Sequence, residues 1–209
     1  MFVEVVPADV PRHLDTLSRA GVLGHFYLAG GTAVALQLGH RVSDDLDFFS
    51  ADSFEADAVV HRLSGLGRLD GVEAAPGTVH ARFEGTRLTL LHYPYPLLDS
   101  YVSGLGIHLA SLRDIGCMKI DAVASRGSRR DFVDLYAICT RHRPLDDLLR
   151  DFDVKFQRIA YNRAHILKSL CYFEDAEHEP LPKLLTPMAW DDVKAFFLSE
   201  SRRHALRWM

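Results

Sequence analysis

Several absences narrow what this chain can be. No apolar run approaches the roughly 18 residues that suggest a membrane span. The start, Met1-Phe-Val-Glu-Val-Val-Pro-Ala-Asp9, carries neither the basic segment nor the cleavage site of a secretory signal. A cytoplasmic protein that makes no membrane contact is therefore expected. Cysteine is scarce: Cys117, Cys139 and Cys171 sit in apolar, helical-looking segments, which suits core thiols in a reducing compartment and offers no zinc spacing. The eleven histidines include no His-x-x-x-His pair, which argues against a histidine metal site. Excess positive charge is missing too, and a net charge of −4 gives no global attraction to nucleic acid. Residues 45–55 lack the glycine and the final glutamate of a calcium loop. Residues 65–71 have the wrong ending for a dinucleotide-binding turn.

The 209 residues that remain are ordinary in composition and fit one domain, or a domain with a helical appendage. Apolar spacing predicts helices over 8–20, 32–39 and 55–64, the last capped by Ser53. Short strands are predicted over 26–29 and 45–49. From Gly67 onward the period shifts toward two, predicting strands at about 67–74, 77–84 and 86–92 with turns at Asp70-Gly71 and Glu84-Gly85. Tyr93-Pro-Tyr-Pro96 should end the sheet, because proline cannot donate to a ladder. Helices are predicted at 111–124, 129–143, 145–156, 159–176 and 190–204. The expected class is α+β: a small mixed sheet with flanking helices over 1–108, then a helical part over 109–209 that completes the site.

Leu28-Ala-Gly-Gly-Thr32 is followed, after thirteen residues beyond Gly31, by Asp45-Leu-Asp47-Phe-Phe49. Residues two apart on a strand share a face, with Cα atoms roughly 6.7 Å apart. Asp45 and Asp47 can thus converge on one point while Leu46 and Phe48 face the core. Two carboxylates about 4 Å apart repel by about 4 kcal/mol at an effective dielectric of about 20. Mg²⁺ or Mn²⁺ between them relieves this, and Mg²⁺ is typically held by one or two carboxylates plus substrate phosphates. Gly30 and Gly31 lack Cβ atoms, so their N–H groups can approach a triphosphate closely. A helix starting near Thr32 points its positive end at the same place. The bland alternative is a packing glycine pair beside an acidic strand rim.

These residues resemble the signature of the DNA polymerase β-like nucleotidyltransferase superfamily. The longer stretch Gly30 to Phe49, Gly-Gly-Thr-Ala-x-Ala-Leu-x-Leu-Gly-His-Arg-x-Ser-x-Asp-Leu-Asp-Phe-Phe, is similar to the AbiEii/AbiGii toxin branch of bacterial nucleotidyltransferases, associated with abortive phage infection and toxin–antitoxin pairs. Met118-Lys119 and Ala124-Ser-Arg-Gly-Ser-Arg-Arg-Asp-Phe-Val-Asp134-Leu-Tyr136 look like that branch's Lys plus Arg-Asp-x-x-Asp-Leu motif. Residues 166–176 resemble the C-terminal helix of its close members.

The resemblance implies an enzyme moving a nucleoside monophosphate from an NTP to a hydroxyl of RNA (tRNA among the candidates) or of protein, restrained by a cognate antitoxin. Asp45 and Asp47 are the expected metal ligands. The backbone of Gly30, Gly31 and Thr32, with the Ser43 hydroxyl, is expected on the β- and γ-phosphates. Arg41 pairs either with phosphate or with Asp44. Arg130 joins the nucleotide-binding set, from a cluster with Arg126, Arg129, Arg113 and Lys119. Lys119 supplies charge to the triphosphate or else is an exposed lysine of an otherwise apolar helix, and Asp131 orients or deprotonates the acceptor hydroxyl or else serves its helix N-terminus. Asp134 anchors Arg129 or Arg130. A second basic patch, Arg202, Arg203 and Arg207, reads as a solvated face. One departure stands out: where polymerase-type members carry a third carboxylate, residues 87–92 offer Thr89 and no acid. That keeps open a weak or non-catalytic nucleotide-binding protein, and a phosphotransferase using the same pocket.

Overall fold

The structure, a computed structural model, describes residues 1–206 and separates into two compact units, Met1–Ser111 and the chain from Leu112 on. It is a mixed α+β protein.

The first unit begins with a 3-10 turn at Val3–Val5 and helix α1, Val10–Arg19, which seats Val10, Leu14 and Leu17 in the core. Strand β1 (Tyr27–Ala29) runs directly into α2 (Gly30–Leu38), which ends where Gly39 takes the left-handed conformation. Strand β2 is Leu46–Ser50 and α3 is Ala56–Ser64. Then come β3 (Leu69–Ala75), β4 (Thr78–Phe83), β5 (Thr86–His92), β6 (Val102–Gly104) and β7 (Ile107–Leu109). They form one sheet in the order β3-β4-β5-β2-β1-β7-β6. Strand pairs β5–β2 and β1–β7 are parallel and the other pairs antiparallel. Along β2, Leu46, Phe48 and Ser50 are buried and alternate with Asp47 and Phe49, as a strand with one core face requires.

Four local expectations change. Asp70-Gly71 is a bulge inside β3, where the register shifts between Asp70 and Glu73; the β3–β4 connection falls at Pro76-Gly77 instead. The prolines at 94 and 96 stop β5 but not the sheet. The chain crosses to the far edge and adds the β6–β7 hairpin, whose three-residue strands are too short to show a period. Glu55, not Ser53, is the N-cap of α3, and α2 starts at Gly30, two residues before Thr32.

The second unit is helical: α4 (Leu112–Ser125), α5 (Arg129–Arg141), α6 (Leu145–Lys155), α7 (Arg163–Ser169), α8 (Glu174–Glu177) and α9 (Trp190–Leu206). The single helix expected over 159–176 is therefore two. Asn162 sets the start of α7 by accepting from the His165 N–H at 3.2 Å, and buried Leu170 caps its end. Phe132 lies at the centre of an aromatic cluster with Phe173, Trp190 and Phe197. Cys117 and Cys139 are buried, and burial pushes the Cys117 thiol up to about 12, so it stays protonated and inert. Lys155 and Asp114 form a fully buried pair at 2.8 Å joining α6 to α4. Asp151 holds Arg113 and Arg143. Arg202 and Arg203 are both exposed, as expected of a solvated face, and Arg203 in addition pairs with Asp146 at 3.1 Å and with Glu200. Arg207 lies outside the described residues.

Candidate active site

The junction of β1 and α2 is built around one glycine. Gly30 has φ of +65°, in the left-handed region that side chains with a Cβ adopt at a cost of roughly 1–2 kcal/mol. A Cβ placed there would lie 2.8 Å from Asp47 Oδ2. The register explains the closeness, since Ala29 on β1 sits opposite Asp47 on β2. The Asp47 carboxylate therefore abuts the first turn of α2, where unpaired N–H groups and the helix dipole favour an anion.

Asp45 lies just before β2, and a buried polar web fixes it. The Thr32 hydroxyl donates to the Asp45 carbonyl and lies 2.8 Å from the Ser43 hydroxyl. The Ser43 N–H donates to the Val5 carbonyl at 2.8 Å, so the N-terminal turn braces the loop entering β2. Thr32 and Ser43 are both buried, and their hydroxyls hold α2 to the loop. Arg41 is buried too and donates to the Val42 carbonyl at 2.9 Å. Thr32, Ser43, Asp45, Asp47 and Gly30 thus form one constellation in the sheet unit.

The donor set suits a hard cation: two carboxylates of one face, beside a helix start able to hold phosphate. The space that a Cβ at Gly30 would fill lies against an Asp47 oxygen, so phosphate on the α2 N–H groups would lie beside the Asp47 carboxylate.

Lys119, Arg130 and Asp131 belong to the helical unit. Lys119 Nζ lies 2.8 Å from Asp131 Oδ1 and 2.7 Å from Asp134 Oδ2, and all three residues are buried. Arg126 adds two bonds to Asp131, at 2.7 and 3.1 Å, and the Ser128 hydroxyl donates to it at 2.7 Å. Burial works against the Asp131 charge. The Lys119 ammonium and the Arg126 guanidinium outweigh it and hold the carboxyl below the usual carboxylate range. A carboxylate so stabilised orients cations better than it removes protons. The expected anchoring by Asp134 is revised in part: it holds Lys119, while Arg129 reaches the Ala176 and Glu177 carbonyls and lies over Trp190.

Sequence reasoning named Thr89, through the resemblance, at the place of a third carboxylate, but missed Arg87 and His80 as neighbours of the aspartates and of Thr89. Arg87 on β5 lies 3.4 Å from Asp45 through Nε. Thr89 stands directly beside Asp47, and His80 on β4 lies 3.3 Å from its hydroxyl. The place next to Asp47 is thus filled by a threonine–histidine pair. No local pattern announces that, because it depends on the β2–β5 register. Ser128 could have been found: Ser-x-x-Asp is a helix-start spacing, and Ser128 is the N-cap of α5. A third cluster, Asp146, Glu200 and His204, has ligand-type atoms within 4.8 Å of one another, but the Arg203 guanidinium already serves both carboxylates.

A family model described as nucleotidyl transferase AbiEii toxin, type IV toxin–antitoxin system, matches residues 12–96 and 85–209. An uncharacterized protein of Aquifex aeolicus (strain VF5) is 35% identical over 189 residues, covering 88% of this chain and 90% of its own. Among solved structures, a candidate nucleotidyltransferase from H. pylori superposes with a TM-score of 0.54 at 17% identity, covering 94% of this chain and 95% of that one. MenT4, a nucleotidyltransferase toxin from Mycobacterium tuberculosis H37Rv, gives 0.54 at 17% identity over 92% of this chain and 86% of its own. These two likenesses speak for the fold, and the family match spans both units. The chain belongs to the AbiEii family of nucleotidyltransferase toxins.

Proposed function

We infer that this enzyme moves a nucleoside monophosphate from an NTP to an RNA hydroxyl, tRNA included, with Mg²⁺ or Mn²⁺ on Asp45 and Asp47. The observation that carries this reading is the Asp47 carboxylate held against the first turn of α2 at Gly30, with Asp45 two residues away. Divalent ions at such a dyad neutralise the phosphates and stabilise the attacking and leaving oxygens. The N–H groups of Gly30, Gly31 and Thr32 hold the β- and γ-phosphates, helped by the α2 dipole. Ser43 and Arg41 support that loop. In the same reading Lys119 and Arg130 are the candidate cations of the helical unit, and Asp131 orients Lys119 rather than acting as a base. Pyrophosphate leaves. A cytoplasmic setting and a cognate antitoxin complete the proposal.

A second reading is favoured by a specific observation: Thr89 stands where an acid would complete a strand triad. The chain would then bind NTP and metal without turnover. Incubation with Mg²⁺, total tRNA and each α-³²P-labelled NTP, resolved on denaturing RNA and protein gels, separates the two. Label on RNA that is lost in Asp45→Ala and Asp47→Ala supports transfer. Both variants should fold nearly as the parent does, because these side chains sit outside the apolar core. NTP binding without label in the parent chain supports the binding protein, and release of NDP would point to phosphotransfer.

A further inference from the structure

The sheet face that carries Asp45 and Asp47 continues onto β5 and β4 as an exposed cationic strip. Arg82 on β4 and Arg87 on β5 are register partners, directly opposite each other, and both are exposed. Like charges in that relation are destabilising, so the arrangement calls for an anion. Asp70, across from Arg82 on β3, is held by Arg68 at 2.7 Å. Arg87 leans on Asp45 at 3.4 Å with its side chain still 57% exposed. Arg82 donates to the Gly85 carbonyl at 3.3 Å.

We propose that Arg82 and Arg87 bind the terminal phosphates of the acceptor strand and so position its hydroxyl at the Asp45–Asp47 dyad. The proposal rests on the transfer reading above and adds two positioning residues to it. Adjacent strands lie about 4.8 Å apart. Arg87 is therefore one strand spacing, and Arg82 two, from the carboxylate edge. That is the range separating a terminal hydroxyl from the last phosphates of its own strand. A guanidinium fork matches phosphate oxygens in a bidentate way. Order of binding follows from the Asp45 contact. With a divalent ion on Asp45, Arg87 loses its carboxylate partner, and the strip becomes most cationic when the enzyme is loaded for transfer. The ion pair holds Arg87 in place until then and keeps two opposed guanidinium groups from standing uncompensated.

The test is filter binding of end-labelled, deacylated total tRNA to the full chain across a NaCl series. Each phosphate contact contributes about 0.7–0.9 to the slope of log affinity against log salt. Arg82→Ala and Arg87→Ala should each flatten the slope by about that amount. Arg19→Ala, a highly exposed arginine on α1, should leave it unchanged. Asp45→Asn, which releases Arg87, should bind tRNA at least as tightly as the parent. Slopes that match the parent in both arginine variants, or a parent chain that retains no tRNA, would overturn the proposal. Flattened slopes with no labelled product from any NTP would uphold the strip and defeat the transfer reading. Labelled product with unchanged slopes would do the reverse.

Discussion

Replacing Gly30 by alanine adds one carbon atom at the point where phosphate and metal sites meet, and its consequences can be worked out from two numbers. The first is φ of +65°, which costs an alanine about 1–2 kcal/mol. The second is the 2.8 Å between the new Cβ and Asp47 Oδ2, so either the carboxylate or the start of α2 must move by several tenths of an ångström. For a chain of this size 1 kcal/mol corresponds to about 2–4 °C, so Gly30→Ala should melt about 2–8 °C lower. The functional loss should be larger, since displacements approaching 1 Å near a reacting centre cost on the order of 10²-fold. Mn²⁺ titration followed by electron paramagnetic resonance reads the metal site directly, and the labelled-NTP assay reads transfer. Gly71→Ala is the matched control: it has φ of +57° with nothing within 4 Å of the added carbon. It should show the thermal loss with unchanged Mn²⁺ affinity. If Gly30→Ala bound Mn²⁺ and turned over as the parent does, Asp47 would not be a metal ligand held against the helix start.

Other outcomes follow from the helical unit. Lys119→Met removes the buried cation that Asp131 and Asp134 share, and should lower urea stability by about 3–5 kcal/mol. Adding Asp134→Asn should recover part of that loss, because the two changes share one network. The Asp131 carboxyl titrates below its unfolded value near 3.9. The unfolded chain takes up the proton first as pH falls. Its stabilisation is thus complete above that value and is lost as pH drops toward the depressed folded one. Asp151, where the bonds from Arg113 and Arg143 overcome burial, acts in the same direction. Thermal melts should be level between about pH 6 and pH 5 and fall below about pH 4, more steeply in the parent than in Asp131→Asn.

Elements with a strong local code were legible. α1, β2, α5 and the β4–β5 hairpin follow from spacing, from turn chemistry at Glu84-Gly85 and from alternation in Leu46 to Ser50. The glycine pair and the two aspartates marked a candidate site, because alternate residues of an extended segment share a face. Weakly coded elements were missed. The β6–β7 hairpin is too short for a period, and the bulge at Gly71 reads locally as a turn. The stop of α7 carries no glycine or proline.

Sequence by itself determined the class of the protein and marked the candidate residues for metal and phosphate, because those depend on composition and on spacing within single elements. Only tertiary structure decided which neighbours those residues have. Pairing of β2 with β5 set Thr89 beside Asp47 and brought Arg87 to Asp45. Packing of α4 on α5 turned a lysine of an apolar helix into the shared partner of Asp131 and Asp134. Register and helix packing join positions far apart in the chain, and the low dielectric of the interior then makes charge pairing there obligatory.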